Sequence, residues 1–142
     1  MIREARTTDI SDIRALMNSV AGFWDSSWRP DVLERALSAP DTIALVHQDG
    51  VIDGFISAHD VSFRAYLSEL VVAPQAQRRG IGARLLAEIE RRVAARGCAV
   101  IVADVWQDAE EFYRSQGWTP PSVILVRKRL PSACANRQTC PT

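Results

Sequence analysis

A polar loop rich in arginine and glycine separates an apolar, strand-like segment from an amphipathic segment with helical spacing. The loop ends in Gln77-Arg78-Arg79-Gly80-Ile81-Gly82. Backbone N–H groups at a helix N-terminus carry positive partial charge, and glycine lets an anion approach the main chain without a Cβ in the way. With arginines beside them, such N–H groups suit a phosphate or pyrophosphate. A helix that merely starts at a flexible Gly-Ile-Gly explains these six residues equally well.

Two other phosphate-binding motifs fit this loop poorly. A dinucleotide fingerprint needs a third glycine, where this chain has Leu85, and it follows its strand directly, whereas here residues 74–79 intervene. A P-loop needs a lysine followed by serine or threonine, and the loop has no lysine. A plain nucleotide-binding domain is therefore disfavoured.

Two segments together resemble the signatures of the GNAT superfamily of N-acetyltransferases. The first is Gln77-x-x-Gly80-x-Gly82, which follows a strand ending in Leu-Val-Val-Ala-Pro. The second covers residues 109–118, where a short helix with an aromatic–tyrosine pair closes with glycine and another aromatic residue. The resemblance extends over residues 2 to about 130. It implies a three-layer α/β fold, with a central mixed, mostly antiparallel sheet flanked by helices.

The resemblance also implies an acetyl-CoA site, with acetyl-CoA as co-substrate. The pyrophosphate would meet the loop, and the peptide-like pantetheine arm would pair with the strand before it. The expected contacts are Leu70, Val71, Val72, Gln77, Arg78, Arg79, Gly80, Ile81, Gly82, Ala83 and Arg84. A backbone N–H near Val72 would polarise the thioester carbonyl, an effect worth roughly a few kcal/mol. Many family members have an asparagine where this chain has Trp106. Trp106 would instead line the cofactor channel, or that contact is absent.

Two side chains are candidates for the proton transfers. An alkylammonium group has a pKa of about 10, so roughly one amine in a thousand is uncharged at neutral pH, and some group must accept the proton. Glu69, beside the expected thioester, is the candidate base; a solvated carboxylate or an ion pair with arginine explains it equally well. His59 and Asp60 are weaker candidates. The resemblance implies that Tyr113 protonates the departing thiolate, although a tyrosine on a short helix is often a packing residue.

The acceptor site is implied to lie between the first two helices, where the loop contains Phe23, Trp24, Asp25 and Trp28. Trp24 and Trp28 would suit a cationic amine through cation–π contacts. A purely structural role, in which both rings close the hydrophobic core over the sheet, explains them at least as well. We expect a small-molecule primary amine rather than a protein; its identity stays open. The main hypothesis is an acetyl-CoA-dependent N-acetyltransferase, and the alternative is an acyl-CoA-binding sensor without turnover.

Composition limits the partners. The chain has 142 residues, 47% of them apolar, and a formal net charge of zero, so no overall field recruits nucleic acid or an anionic membrane. No apolar run approaches the ~20 residues that cross a bilayer, and the N-terminus has no signal-peptide core, so a cytoplasmic location is expected. Cys98, Cys134 and Cys140 form no metal-binding pattern, and no metal is expected.

The apolar periodicity predicts alternating strands and helices in one domain, residues 1–130, followed by a loose tail, residues 131–142. Strands are expected at 2–5, 42–48, 51–61, 65–73, 99–105 and 123–130. Helices are expected after Thr8 or Asp9, at Pro30, after Gly80 up to Gly97, and around Phe112 and Tyr113 up to about Gly117. Family members often pair through their C-terminal strands, and the apolar residues 123–126 would allow such a homodimer.

Overall fold

The computed structural model describes residues 1–131, so most of the predicted tail, with Cys134 and Cys140, lies outside the described residues. The chain divides into two compact units, residues 1–106 and a second that begins at Gln107. The strands of the first unit are β1 (Ile2–Glu4), β2 (Thr42–Asp49), β3 (Val51–Asp60), β4 (Ala65–Val72) and β5 (Ile101–Val102). Its helices are α1 (Ile10–Ser19), α2 (Val32–Ser38) and α3 (Ile81–Ala95). The second unit contains α4 (Glu110–Ser115).

The five strands form one sheet in the order β1-β2-β3-β4-β5. Its pairs are antiparallel except β4 with β5, which is parallel. The tight turn at Asp49-Gly50, a residue pair typical of β-hairpins, joins β2 to β3, with Gly50 at φ +73°. Residues 52–58 of β3 are buried on both faces, so helices cover both sides of the sheet. The predicted mixed, mostly antiparallel sheet flanked by helices is confirmed.

The third helix packs closely on the sheet because β3 has a glycine beneath it. A Cβ at Gly54 would lie 2.9 Å from Leu85 Cδ1 and 3.0 Å from Ile81 Cγ2. The buried residues of α3 are Ile81, Leu85, Leu86, Ile89 and Val93, the stripe that helical spacing predicts. The helix ends before Gly97, which adopts φ +90° as predicted for its C-terminal position.

A β-bulge in β4 changes which side chains share a face. Ser57 of β3 pairs with Glu69, but the next residue, Ala58, pairs with Leu67, so Ser68 is an extra residue. The Ser68 hydroxyl lies 2.6 Å from the Ser57 hydroxyl and 3.0 Å from His59 Nε2. Because residues paired directly across two strands point to the same side, Ser68 and Glu69 both lie on the face of Ser57.

Two predicted strands are corrected by the structure. Only Ile101–Val102 of the predicted strand 99–105 pairs with a neighbour, and Val100 and Val105 on either side are exposed. No strand forms at residues 123–130 in the described chain, where residues 123–126 are 68–85% exposed. Apolar, β-branched sequence favours strand, but a strand also needs a partner with which to pair. The homodimer through these residues stays a prediction.

Two helix starts also differ in detail from the prediction. Helix α1 begins at Ile10, but the Asp9 carboxylate does not cap it. Its oxygens instead accept hydrogen bonds from the Arg3 guanidinium at 2.8 and 3.0 Å and from the Arg6 N–H at 2.7 Å. The Arg3 guanidinium accordingly holds the pKa of Asp9 below its usual range. Helix α2 begins two residues after Pro30.

Candidate active site

The loop between β4 and α3 leaves the helix N-terminus open. After the helical turn Pro74–Ala76, the backbone adopts left-handed conformations at Arg78 (φ +65°) and Gly80 (φ +78°). Gly80 is the N-cap residue of α3, and no side chain among residues 1–131 caps the helix there. The N–H groups of a first helical turn have no partner within the helix. They therefore form a site of positive partial charge, beside the exposed Arg78 and Arg79.

Arg84 differs from the other two loop arginines. Its N–H lies beyond the unpaired N–H groups and donates to the Gly80 carbonyl at 3.0 Å, the bond that closes the first turn of α3. Its Nη2 lies 3.4 Å from Nε2 of the buried His47 on β2, whose Nδ1 is in turn 2.5 Å from the Asp53 carboxylate. The guanidinium of Arg84 is thus directed towards β2, and its role in cofactor binding stays a prediction.

The second half of β4 has a free edge in the described chain. The ladder of β5 reaches only Ala65 and Tyr66, so residues 70–72 pair with β3 on one side alone. At the strand end, the Gln77 side-chain amide donates to the Val72 carbonyl at 3.2 Å. This bond ties the glycine loop to the strand. A peptide-like chain can therefore add to the free edge and lead towards the N-terminus of α3.

Glu69 lies on the bulged strand, immediately before this free edge. Its carboxyl is partly buried and has no hydrogen bond or ion pair among the described residues. Burial, and secondarily the negative charge of Asp104, raises its pKa to about 7. Asp104 accepts a hydrogen bond from the Tyr66 hydroxyl, and burial together with this bond raises the tyrosine pKa. A carboxyl that titrates near neutral pH can accept and return a proton under physiological conditions.

The weaker base candidates are already engaged in hydrogen bonds. His59 contacts the Thr42 hydroxyl through Nδ1 at 2.9 Å and the Ser68 hydroxyl through Nε2 at 3.0 Å, and burial lowers its pKa. Asp60 accepts the Ser62 N–H at 2.9 Å and the Cys98 thiol at 3.4 Å. These contacts favour Glu69 as the group that can take up a proton.

Four aromatic rings, three from the loop between α1 and α2 and the fourth from Trp106, contact one another in a row. The centroids of Trp24 and Trp28 lie 5.2 Å apart, those of Trp28 and Phe23 6.4 Å, and those of Phe23 and Trp106 5.8 Å. The structure thus brings the two predicted acceptor tryptophans together. The contact of Trp106 with this row was not predicted from the sequence. The only signal was a tryptophan in place of the family's asparagine, and no local pattern connects it with the distant loop.

Tyr113 belongs to the second unit, where α4 carries an aromatic cluster. Its ring makes edge-to-face contacts with Phe112 at 5.2 Å and Trp118 at 5.3 Å. Its carbonyl accepts the N–H groups of Gln116 and Trp118, each at 3.0 Å, and Gly117 adopts φ +88°. The predicted helix end near Gly117 is confirmed. The acid role of Tyr113 stays a prediction.

A family model described as "Acetyltransferase (GNAT) family" matches residues 9–118, most of the chain. The chain belongs to the GNAT acetyltransferase family. None of the curated protein sequences matches it significantly.

Solved GNAT-fold structures resemble the chain over nearly its whole length. A transcriptional regulator from Bacillus halodurans C-125 is 18% identical, with a TM-score of 0.77 over 92% of this chain and 99% of that chain. AAC(6')-Iy, in complex with a bisubstrate analogue of CoA and acetylneamine, is 25% identical, with a TM-score of 0.72 over 92% and 98%. The ribosomal-protein-S18-alanine N-acetyltransferase from Escherichia coli is 23% identical, with a TM-score of 0.73 over 82% and 76%.

Residues 1–131 contain no group of three or more His, Cys, Asp or Glu side chains arranged to hold a metal ion. No helix within the same range is long and apolar enough to cross a membrane.

Proposed function

We propose that the protein is an N-acetyltransferase that moves the acetyl group of acetyl-CoA to a primary amine by direct attack on the thioester. The observation that carries this proposal is the arrangement along β4 and α3. A partly buried carboxyl, Glu69, precedes a free strand edge, and that edge leads to a helix N-terminus with no side-chain cap. Support also comes from the similar AAC(6')-Iy, which was solved with an analogue that joins CoA to its acceptor.

The proposed cofactor site uses main-chain groups. The pyrophosphate would bind the N–H groups of residues 80–83, and its charge would be balanced by Arg78 and Arg79. Apart from its chain neighbours, no atom of residues 1–131 lies within 4 Å of a Cβ built on Gly80, so the space over the turn is open to a bulky anion. The pantetheine amides would pair with the free edge at Leu70, Val71 and Val72, which places the thioester near Glu69.

The proposed reaction removes two protons from the amine nitrogen and adds one to the departing thiolate. Glu69 takes a proton from the bound ammonium, directly or through water, and the free amine then attacks the thioester carbon. The new C–N bond forms while a backbone N–H near Val72 stabilises the oxyanion. The C–S bond then breaks, and Tyr113 supplies the proton that converts the departing thiolate to coenzyme A. The second proton lost by the attacking nitrogen, as the amide forms, returns Tyr113 to its neutral form, directly or through water. The acceptor is a small-molecule amine that lies against the loop of Trp24 and Trp28.

Isothermal titration of acetyl-CoA tests the cofactor site. Wild type should bind, whereas Gly82→Trp should lose binding because the indole fills the pyrophosphate turn. Ala87→Trp, on the exposed face of the same helix, is the matched control and should bind normally. A well-folded wild type that does not bind acetyl-CoA would refute the proposal.

A thiol-release assay with a panel of amines then separates the enzyme from a sensor. Release of coenzyme A that depends on the added amine identifies an acetyltransferase. Tight binding without release for any amine identifies an acyl-CoA-binding module instead.

A further inference from the structure

The row of four aromatic rings has one supported end and one open end. At the supported end, the Arg14 guanidinium lies 5.9 Å from the centroid of Trp24 and donates to the Glu34 carboxylate at 2.9 Å. The face of Trp24 that meets this cation is therefore already in use. At the other end, Trp106 is 52% exposed, although its ring packs against Phe23. Trp106 thus presents aromatic surface to solvent.

The open end of the row lies next to the acidic part of the proposed active site. Trp106 follows Asp104 by two residues, and Asp104 accepts the hydrogen bond from Tyr66. The charge of Asp104 also acts on Glu69. Aromatic surface and negative charge thus occur together on one short segment, residues 104–106. That combination is complementary to a cation with an apolar body.

The rings of the row meet at steep angles. The planes of Phe23 and Trp106 meet at 62°, and those of Phe23 and Trp28 at 78°. Rings inclined in this way form a corner rather than a flat platform. A corner can contact an apolar group on two sides, whereas a hydroxylated group placed there would lose hydrogen bonds to water without replacement.

We propose that Trp106, with Phe23 and Trp28, forms an aromatic wall that selects primary amines carrying an aromatic or other apolar group close to the amino nitrogen. This inference rests on the proposed function. The ammonium group lies towards Asp104 and Glu69, and the apolar body lies against the wall. Trp106 is therefore a specificity-determining residue, in the position where the family commonly has asparagine.

Two amines that differ in one substituent test the wall. 2-Phenylethylamine and ethanolamine share the aminoethyl group. The first carries a phenyl group on it, where the second carries a hydroxyl group. Wild type should show the higher kcat/KM with 2-phenylethylamine. Trp106→Ala should lower that value about 5- to 30-fold, as expected for loss of a partly desolvated aromatic contact. The same change should lower kcat/KM with ethanolamine less, so the preference for 2-phenylethylamine should narrow at least about threefold, and Trp106→Phe should recover part of the loss.

Phe63→Ala is the matched control. Phe63 is 93% exposed and belongs to no ring pair among the described residues, so its loss should leave both amines unaffected. Equal loss for both amines in Trp106→Ala would show a merely structural role and overturn the inference. A wild type without preference for 2-phenylethylamine would overturn it as well.

Acetyl-CoA titration distinguishes failure of this inference from failure of the proposed function. Wild type that binds acetyl-CoA but acetylates neither amine would overturn the wall's proposed substrate class and leave the cofactor site intact. Wild type that does not bind acetyl-CoA would overturn the proposed function itself.

Discussion

Replacing Glu69 with glutamine separates the chemical role of this carboxyl from its effect on stability. Glutamine keeps the shape of the side chain but cannot accept a proton from an ammonium group. A positioned general base contributes about 10²- to 10⁴-fold to rate, so kcat/KM for the amine should fall by at least about 10²-fold. The affinity for acetyl-CoA should change little, because the proposed cofactor contacts are main-chain groups and arginines.

The same substitution should stabilise the protein at alkaline pH. The pKa of Glu69 in the folded chain is about 7, compared with an ordinary value of 4.5. Folding therefore favours the protonated form, and the free energy of unfolding falls as pH rises between these values. For a fully desolvated group, this difference in pKa corresponds to about 3 kcal/mol in the free energy of unfolding. Because Glu69 is partly solvated, the expected gain in stability of Glu69→Gln is about 1–2 kcal/mol. Glu69→Gln should be more stable than wild type at pH 8 and equally stable at pH 4.

Two measurements complete the test. The pH profile of kcat/KM in wild type should rise with an inflection near pH 7, since only the ionised carboxylate accepts the proton, and this inflection should disappear in Glu69→Gln. Urea unfolding of both proteins at pH 4 and pH 8 gives the stability difference. A variant with near wild-type rate and an unchanged profile would refute the base assignment. If wild type and Glu69→Gln are equally stable at pH 8 as well as at pH 4, burial does not raise the pKa of this carboxyl.

Three further substitutions examine the surroundings of the site. Asp104→Asn removes a negative charge near Glu69 and should lower its pKa, so the inflection in kcat/KM should move to lower pH; a shift to higher pH would contradict the electrostatic argument. Tyr113→Phe should lower kcat far more than it weakens acetyl-CoA binding in titration, and equal effects on both would count against the acid role. Gly54→Ala places a Cβ 2.9 Å from Leu85 and should destabilise the protein by about 1–3 kcal/mol in urea unfolding, with weaker acetyl-CoA binding because the first turn of α3 shifts. Unchanged stability there would show that α3 can move away without cost.

Sequence patterns predicted the elements whose signals are local. The apolar stripe of α3 and Gly97 after it are present within one segment, and so is the Asp49-Gly50 turn. The predicted strand at 123–130 was wrong because apolar content shows that a segment can pair, but not whether a neighbouring strand exists. The same holds for the candidate site, because its glycine loop could be recognised from neighbouring residues in the sequence. The influence of Asp104 on Glu69 and the contact of Trp106 with Phe23 depend on tertiary structure.

The bulge in β4 places the proposed base on one face of the strand while the strand leads to the proposed cofactor helix. Side chains alternate between faces along a regular strand, so if residues 67–69 were paired regularly Glu69 would share a face with Leu67, which pairs with Ala58. Ala58 lies on the same side of β3 as Gly54, the side against which α3 packs. Because Ser68 is bulged, Glu69 lies on the opposite face, that of Ser57, while the strand still continues into the loop before α3. A carboxyl on the face opposite α3 can meet an amine there, and the same strand's free edge remains open for the thioester arm.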